Sequence, residues 1–406
     1  MLKEFFQNNI FFTFCLLAFF SFVLFFGTAA GFKNANSDFP NYYVSAKMVL
    51  TGDLNEAYQT EKFNAEIKKL NPYAQGLFVM YPPATALIML PLLNYTLLDA
   101  KKIWVVFSTF LFLLIFYLTT YIFKINKWYS FFIVAGVGFN LANDLMLGQV
   151  YIFTVFITLI ALVSILKNKQ FIPGVLLGII ASIKLFPLLF IPIFLIKKKF
   201  KLATSLIVSF LIMNLLVFFL CGAEVFYSFF EAFKINYLQK KVAGVLPTST
   251  QYQSIEAFKN SVLSKGSISG FTKNCVVFVS NVWSPLWFLL LVFTLFLKRK
   301  SNYFIEIGIS GILLFLLITE VGSASYHMLL LIPALTLIFY NGFLNYKTKI
   351  ALLFIWFAIG FFPTIYLKLE IDNLILNFNR LWLLSIFCIV SFIGIIVKSI
   401  NLKQDF

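Results

Sequence analysis

Four residues of this chain are of types, and at places, that could do chemistry: Asp38, Lys184, Arg380 and His327. Asp38 stands in Ser37-Asp38-Phe39-Pro40-Asn41-Tyr42-Tyr43, just past the first long apolar run, Phe11 to Ala30. A run of that length crosses the ~30 Å hydrocarbon core as a helix, which puts Asp38 near the bilayer surface. A carboxylate there can cap the helix that Pro40 would start. It can also serve as a general base at the rim of a membrane cavity, if it is ionised near neutral pH and within reach of a hydroxyl. One residue can do both. Lys184, in Ser182-Ile183-Lys184-Leu185-Phe186-Pro187, separates two short apolar stretches. An ionisable group at membrane depth is costly and faces a cavity or a partner, unless it snorkels to the surface. Two short helices meeting at Lys184 would leave a dip in the outer leaflet, and a cation there suits a phosphate.

Arg380 follows Asn377-Phe378-Asn379 at the start of the last apolar run. Only it and Arg299 are Arg among 32 basic residues. Arg where Lys is the habit suggests bidentate recognition of phosphate or carboxylate, with an interfacial anchor as the plain alternative. His327, in Ser325-Tyr326-His327, is the single histidine of the chain, which excludes a multi-histidine metal site. It could hydrogen-bond or handle a proton near neutral pH.

The elements that must position these residues are membrane helices. The 406 residues are 61% hydrophobic, 19% aromatic and 12% charged, with a mean hydropathy of +0.92. That composition defines an all-α polytopic membrane protein and excludes a soluble domain. Neither repeats nor a flexible linker divide it, so residues 1–406 read as a single transmembrane domain. The 54 Phe are bilayer-facing bulk, and the four Cys, one of them (Cys275) in a loop, give neither a disulfide framework nor a metal site. Thr28-Ala29-Ala30-Gly31 resembles a cleavage site, but the apolar core before it exceeds the about 7–15 residues of a signal peptide, so a retained anchor helix is expected.

From 31 to 80 the chain forms a first large polar loop. Phe39, Tyr42, Tyr43, Ala46, Val49 and Leu50 recur at helical spacing, with Thr51-Gly52 as a stop, and Phe63, Ile67 and Leu70 repeat the pattern before Asn71-Pro72. Two short amphipathic helices on the membrane surface are expected. Tyr81-Pro82-Pro83 opens an apolar stretch to Leu93 that contains Pro91, a length that reads as re-entrant. With the anchor, the later runs make about twelve transmembrane helices: Ile103 to Phe123, Trp128 to Ala142, Val150 to Leu166, Phe171 to Ile183, Phe186 to Ile196, Leu202 to Leu220, Val276 to Leu297, Tyr303 to Thr319, Tyr326 to Tyr340, Ile350 to Leu367 and Leu381 to Val397. A second large loop covers 222–275, and a loop that long is often a binding loop or lid.

Lys and Arg accumulate in cytoplasmic loops. With the Tyr81 to Leu93 stretch re-entrant, both termini fall inside, together with sixteen basic residues, among them Lys197, Lys198, Lys199 and Lys201, and three acidic ones, Glu4, Glu306 and Asp405. The net charge of +16 is therefore largely a topology signal, with no need for nucleic acid. This orientation brings Asp38, Tyr81, Asn143, Asp144, Gln149, Lys184, Gln253, Ser254, Glu320, His327 and Arg380 to one outer face. One outward-facing site is implied, on the plasma (inner) membrane.

The chain resembles glycosyltransferase family 87, the polyprenyl-phosphate-mannose-dependent mannosyltransferases of the GT-C fold, over nearly its whole length. The resemblance rests on Asp38-Phe39 with Tyr42-Tyr43 and Ala46; Gly52 and Tyr58; Tyr81-Pro82-Pro83 with Pro91; and Ala100 with Trp104. It continues through Gly148-Gln149, Gly174 and Gly178 leading to Lys184 and Pro187, Gln253-Ser254, and Tyr326-His327. It implies a GT-C enzyme that moves a hexose, mannose in that family, from a polyprenyl-phosphate sugar to a glycolipid or glycan acceptor by a single inverting displacement. By position Asp38 is then the catalytic base, with His327 assisting. Lys184 and Arg380 would hold the donor phosphate, and Tyr42, Tyr81, Asn143, Gln149, Gln253 and Ser254 would contact substrate. No metal site and no cofactor are expected, the lipid-linked sugar being a co-substrate. The family pattern has Asn before Gln-Ser where this chain has Tyr252, which leaves the acceptor open. A secondary transporter is the first alternative, but such proteins commonly show internal repeats and midplane sites. The second, a ligase or polymerase of lipid-linked glycans, would favour clustered Arg and His in its large outer loop.

Overall fold

In a computed structural model, residues 9–33, 37–79, 81–235, 249–250, 252–342, 344–368 and 373–401 are described, and among them all regular structure is helical. Gly244, Pro247 and Gln251 of the second large loop lie outside the described residues. Among the described residues, six helices are long and apolar enough to cross a membrane: Ile10–Lys33, Leu97–Ile122, Phe200–Cys221, Gly270–Lys298, Tyr346–Pro363 and Leu376–Val397. Lys127–Ala135 and Phe139–Leu147, bent by 55° at their junction, would make a seventh as a pair. The other five of the twelve apolar runs form shorter helices, Tyr151–Leu166, Phe171–Ile183, Phe186–Ile196, Phe304–Thr319 and Ser325–Tyr340. Polytopic character thus stands, while the helices of crossing length among the described residues number six or seven.

Contacts divide the chain into two compact units, one of residues 1–20, 115–141 and 245–406, the other of 21–114 and 142–244. The second unit contains both loop helices expected after the first span. Phe39–Thr51 begins with Pro40 in its first turn and ends at Gly52, whose N–H donates to the Met48 and Val49 carbonyls and whose φ of +82° turns the chain so that the Asp53 N–H also reaches the Met48 carbonyl at 3.0 Å. The expectation of an amphipathic helix with one buried face is corrected: every residue from Phe39 to Val49 except Lys47 is buried. The helix packs against Pro83–Leu92, and its small Ser45 and Ala46 are wholly buried. Thr60–Leu70 does have two faces, with Phe63 and Ile67 buried four residues apart and its charged side chains turned outward.

Pro83–Leu92, the expected re-entrant stretch, is a ten-residue 3₁₀-helix. At about 2.0 Å rise per residue it is too short for a ~30 Å core. Thr85 Oγ1 donates to the Ile183 carbonyl at 3.0 Å, which ties this segment to the end of Phe171–Ile183. That helix lies so close to Phe200–Cys221 that a Cβ on Gly178 would fall 2.5 Å from the Leu206 carbonyl oxygen. The chain leaves helical geometry at Lys184 (φ −141°, ψ 116°) and restarts with Phe186–Phe190, giving the break expected there.

In the first unit, the fully buried Trp356 donates its indole N–H to the Ile133 carbonyl at 2.8 Å and so joins Tyr346–Lys368 to Lys127–Ala135. Phe304–Thr319 is followed by a 3₁₀ turn, Ser325–Leu330, that carries His327 into Leu331–Tyr340.

Candidate active site

Asp38 occupies the N-cap position of Phe39–Thr51, but its side chain makes no capping hydrogen bond. Its carboxylate accepts instead from the Gln149 side-chain amide, which comes from a part of the chain 111 residues away. A carboxylate only accepts, so the nitrogen of that amide faces Asp38 and the oxygen must point elsewhere. Gln149 Oε1 accepts from the Tyr42 hydroxyl at 2.5 Å, and that hydroxyl lies 3.2 Å from the Tyr81 hydroxyl. Both ends of the amide are therefore used within the unit. The Gln149 main chain is held as firmly: its carbonyl accepts from Trp104 Nε1 at 3.0 Å and its N–H donates to the Asp144 carbonyl at 2.9 Å. Gln149, Tyr42, Tyr81 and Trp104 are all buried.

The Gly148-Gln149 turn joins Phe139–Leu147 to Tyr151–Leu166. Gly148 has φ +68°, and a Cβ there would lie 2.9 Å from the Phe39 Cβ, next to Asp38. Gly148→Ala combines backbone strain with that clash. It is expected to lower stability by about 1–3 kcal/mol and to displace Gln149, with transfer activity falling in parallel. Thermal unfolding in detergent beside a rate measurement checks this; unchanged melting and rate would show that the turn tolerates a side chain.

Lys184 Nζ sits 4.6 Å from the centre of the Tyr81 ring and 4.8 Å from that of Tyr151, a two-sided aromatic cage for a cation. Burial raises the Asp38 carboxyl above the usual carboxylate range, and the Gln149 hydrogen bond and then the charges of Lys184 and Lys101 oppose that rise without cancelling it. Lys101 and Asp144 belong to the same cluster. Lys101 is buried beside Ala100 at the start of Leu97–Tyr117, and Asp144, wholly buried, lies close to the Tyr151 and Ile152 N–H groups and within the field of Lys184. Such a helix start favours a negative charge.

Sequence reasoning passed over Lys101 and left Asp144 among the outer polar residues without a role. Signals for both exist. Lys101 shares the 101, 104, 105, 108 stripe with Trp104, Val105 and Ser108, all buried. Asp144 is an acidic residue in an otherwise apolar segment.

Of the residues expected to contact substrate, Tyr42, Tyr81 and Gln149 converge on Asp38, and Asn143 is half-buried on the helix that carries Asp144. Gln253, Ser254, His327 and Arg380 fall in the other unit. There Ser254 caps Ile255–Ser264 by accepting from the Ala257 N–H. Gln253 accepts from the Arg380 main-chain N–H at 2.7 Å. The buried Arg380 guanidinium donates to the Ser323 carbonyl at 2.7 Å, and His327 Nδ1 lies 2.7 Å from a Glu320 carboxylate oxygen.

These helices and this cluster define a multi-pass membrane protein that carries a half-buried carboxylate in one cluster with a caged lysine. A family model for glycosyltransferase family 87 matches residues 78–319, more than half of the chain. The protein belongs to that family and is a membrane glycosyltransferase. No curated protein and no solved structure matches the chain. The matched residues include Tyr81, Asp144, Gln149 and Lys184 but begin after Asp38, so the role of Asp38 rests on the geometry around it.

Proposed function

We propose that this glycosyltransferase is a GT-C enzyme of the plasma (inner) membrane that moves a hexose, mannose, from a polyprenyl-phosphate donor to an outward-facing glycolipid or glycan hydroxyl, with Asp38 as general base. The observation that carries the reading is the Asp38 carboxylate, held by Gln149 in the same cluster as the tyrosine-caged Lys184. As the acceptor oxygen bonds to the anomeric carbon, its proton passes to Asp38. The bond from that carbon to the phosphate oxygen breaks, and its electron pair leaves with the polyprenyl phosphate. This single displacement inverts the anomeric centre. The leaving group is already an anion, so the protein need only orient the reactants, take the proton and face the phosphate with a cation, which is the part of Lys184. Arg380, whose guanidinium donates to Ser323, and His327, beside Glu320, are assigned no step in this reading. Family membership leaves the transporter alternative without support.

The test is transfer of labelled sugar in vesicles that carry the protein, with polyprenyl-phosphate-mannose and a nucleotide-linked mannose offered separately. Transfer from the lipid-linked sugar only is expected. Transfer from the nucleotide sugar without the lipid carrier would overturn the donor assignment, and transfer only from a carrier-linked pentose would overturn mannose while keeping the donor class.

A further inference from the structure

We infer that Gln149 is the positioning residue of the base, an amide clamp that holds one carboxylate oxygen of Asp38 and leaves the other to the acceptor hydroxyl. The inference rests on Asp38 as the base and replaces the expectation that Gln149 contacts substrate. Three observations carry it. First, among the described residues the Asp38 carboxylate has one hydrogen bond, from the Gln149 amide to Oδ2. Second, Gln149 cannot turn its amide over at low cost, because Oε1 is engaged by the Tyr42 hydroxyl and the main chain is fixed from both sides by Trp104 and Asp144. Third, Gln149 is 1% exposed, so almost none of it is reachable by a substrate, whereas Asp38 is half-buried.

A neutral amide suits the task. It donates to the carboxylate without neutralising it, so the base keeps its charge, and it fixes which oxygen faces outward. Glutamate in its place would set a second carboxylate against Asp38, while methionine would offer no donor at all. The charged and titratable groups around Asp38 are Lys101 on Leu97–Tyr117, Lys184 at the end of Phe171–Ile183, Asp144 on Phe139–Leu147, and the Tyr42 and Tyr81 hydroxyls that reach it through Gln149. The two substitutions leave Lys101, Lys184 and Asp144 in place and change only the group through which the Tyr42 and Tyr81 hydroxyls reach Asp38.

Gln149→Glu and Gln149→Met are compared with wild type in vesicles, with the donor that wild type uses, from about pH 5 to about pH 9. In Gln149→Glu the two carboxylates share a proton, so the acid limb of the rate should move up by about one to two pH units, with low turnover at neutral pH recovered in alkali. That recovery would itself show that the variant folds. In Gln149→Met the limb should also move up, by less, and turnover should fall about tenfold with donor KM unchanged. Acid limbs that coincide with wild type while donor or acceptor KM rises would overturn the inference and return Gln149 to substrate binding. Should Gln149→Glu be inactive throughout, the Gln149→Met limb decides: displaced, it supports the clamp, and in place, it overturns it. Asp38→Asn separates the two levels. If Asp38→Asn keeps wild-type turnover, the base reading fails and the clamp with it. If Asp38→Asn is inactive but the Gln149 limbs stay in place, only the clamp fails.

Discussion

Asp38→Asn is expected to slow transfer by at least about two orders of magnitude, the lower end of what a general base contributes, with donor KM little changed. Asparagine keeps the shape of the side chain and can still accept from Gln149, but it cannot take a proton. The wild-type rate should rise with pH along an acid limb that lies above the usual carboxylate value of about 4, because burial outweighs the Gln149 hydrogen bond and the charges of Lys184 and Lys101. The same shift has a consequence for stability. A carboxyl whose folded pKa exceeds its unfolded one contributes stability below the unfolded pKa, and that contribution is lost as pH rises through the folded pKa. At neutral pH the ionised Asp38 is therefore a burden on the fold, and Asp38→Asn should melt no lower than wild type in the same detergent. Rate against pH and a melting curve check both statements. Wild-type turnover would remove Asp38 from the mechanism, and a variant that is slow but melts well below wild type would make Asp38 a structural residue.

A site that costs the fold something is hard to read from local sequence. At Asp38 the local signals are those of an N-cap: an acidic residue, then Pro40 two places on, then apolar residues at helical spacing. They locate the helix from Phe39 to Gly52, because its start and stop are local. They cannot say that the side chain turns from the helix to an amide 111 residues away, a contact that exists only once Tyr42, Gln149 and Trp104 are packed together. Periodicity fails on the same helix for a related reason. Apolar residues on one stripe suggest one buried face, but Asn41, Ser45 and Ala46 are small or hydrogen-bonded enough to be buried as well, so the helix is buried well beyond that face.

In the other unit, residue type alone does not show what each side chain touches. Arg380 is rare enough in a lysine-rich chain to suggest phosphate recognition, yet its guanidinium is buried and donates to the Ser323 carbonyl. Ser254 has the hydroxyl of a sugar contact and uses it to cap a helix. The break at Lys184 was legible because short apolar runs, Pro187 and a lone charge all mark the same place. Its partners were not, since Tyr81 and Tyr151 come from separate segments and meet only in the fold.

Lys184→Met should have the second large effect. Methionine keeps much of the apolar stem between the Tyr81 and Tyr151 rings and removes the charge. A charge-assisted contact is worth about 1.5–3 kcal/mol, so kcat/KM for the donor should fall by roughly 10-fold to 100-fold, while KM for the acceptor stays near wild type. The charge also acts on Asp38, so its loss should carry the acid limb upward as well. The two effects separate in alkali, where Asp38 is ionised in both proteins: there the rate at saturating donor recovers and the donor defect remains. Tyr81→Phe gives the counterpart, since it keeps an aromatic face for the ammonium and removes only the hydroxyl 3.2 Å from Tyr42. It should leave donor KM close to wild type. If Lys184→Met instead left donor kinetics unchanged in alkali, the lysine would act on the base alone, and the phosphate would have to be met by another cation.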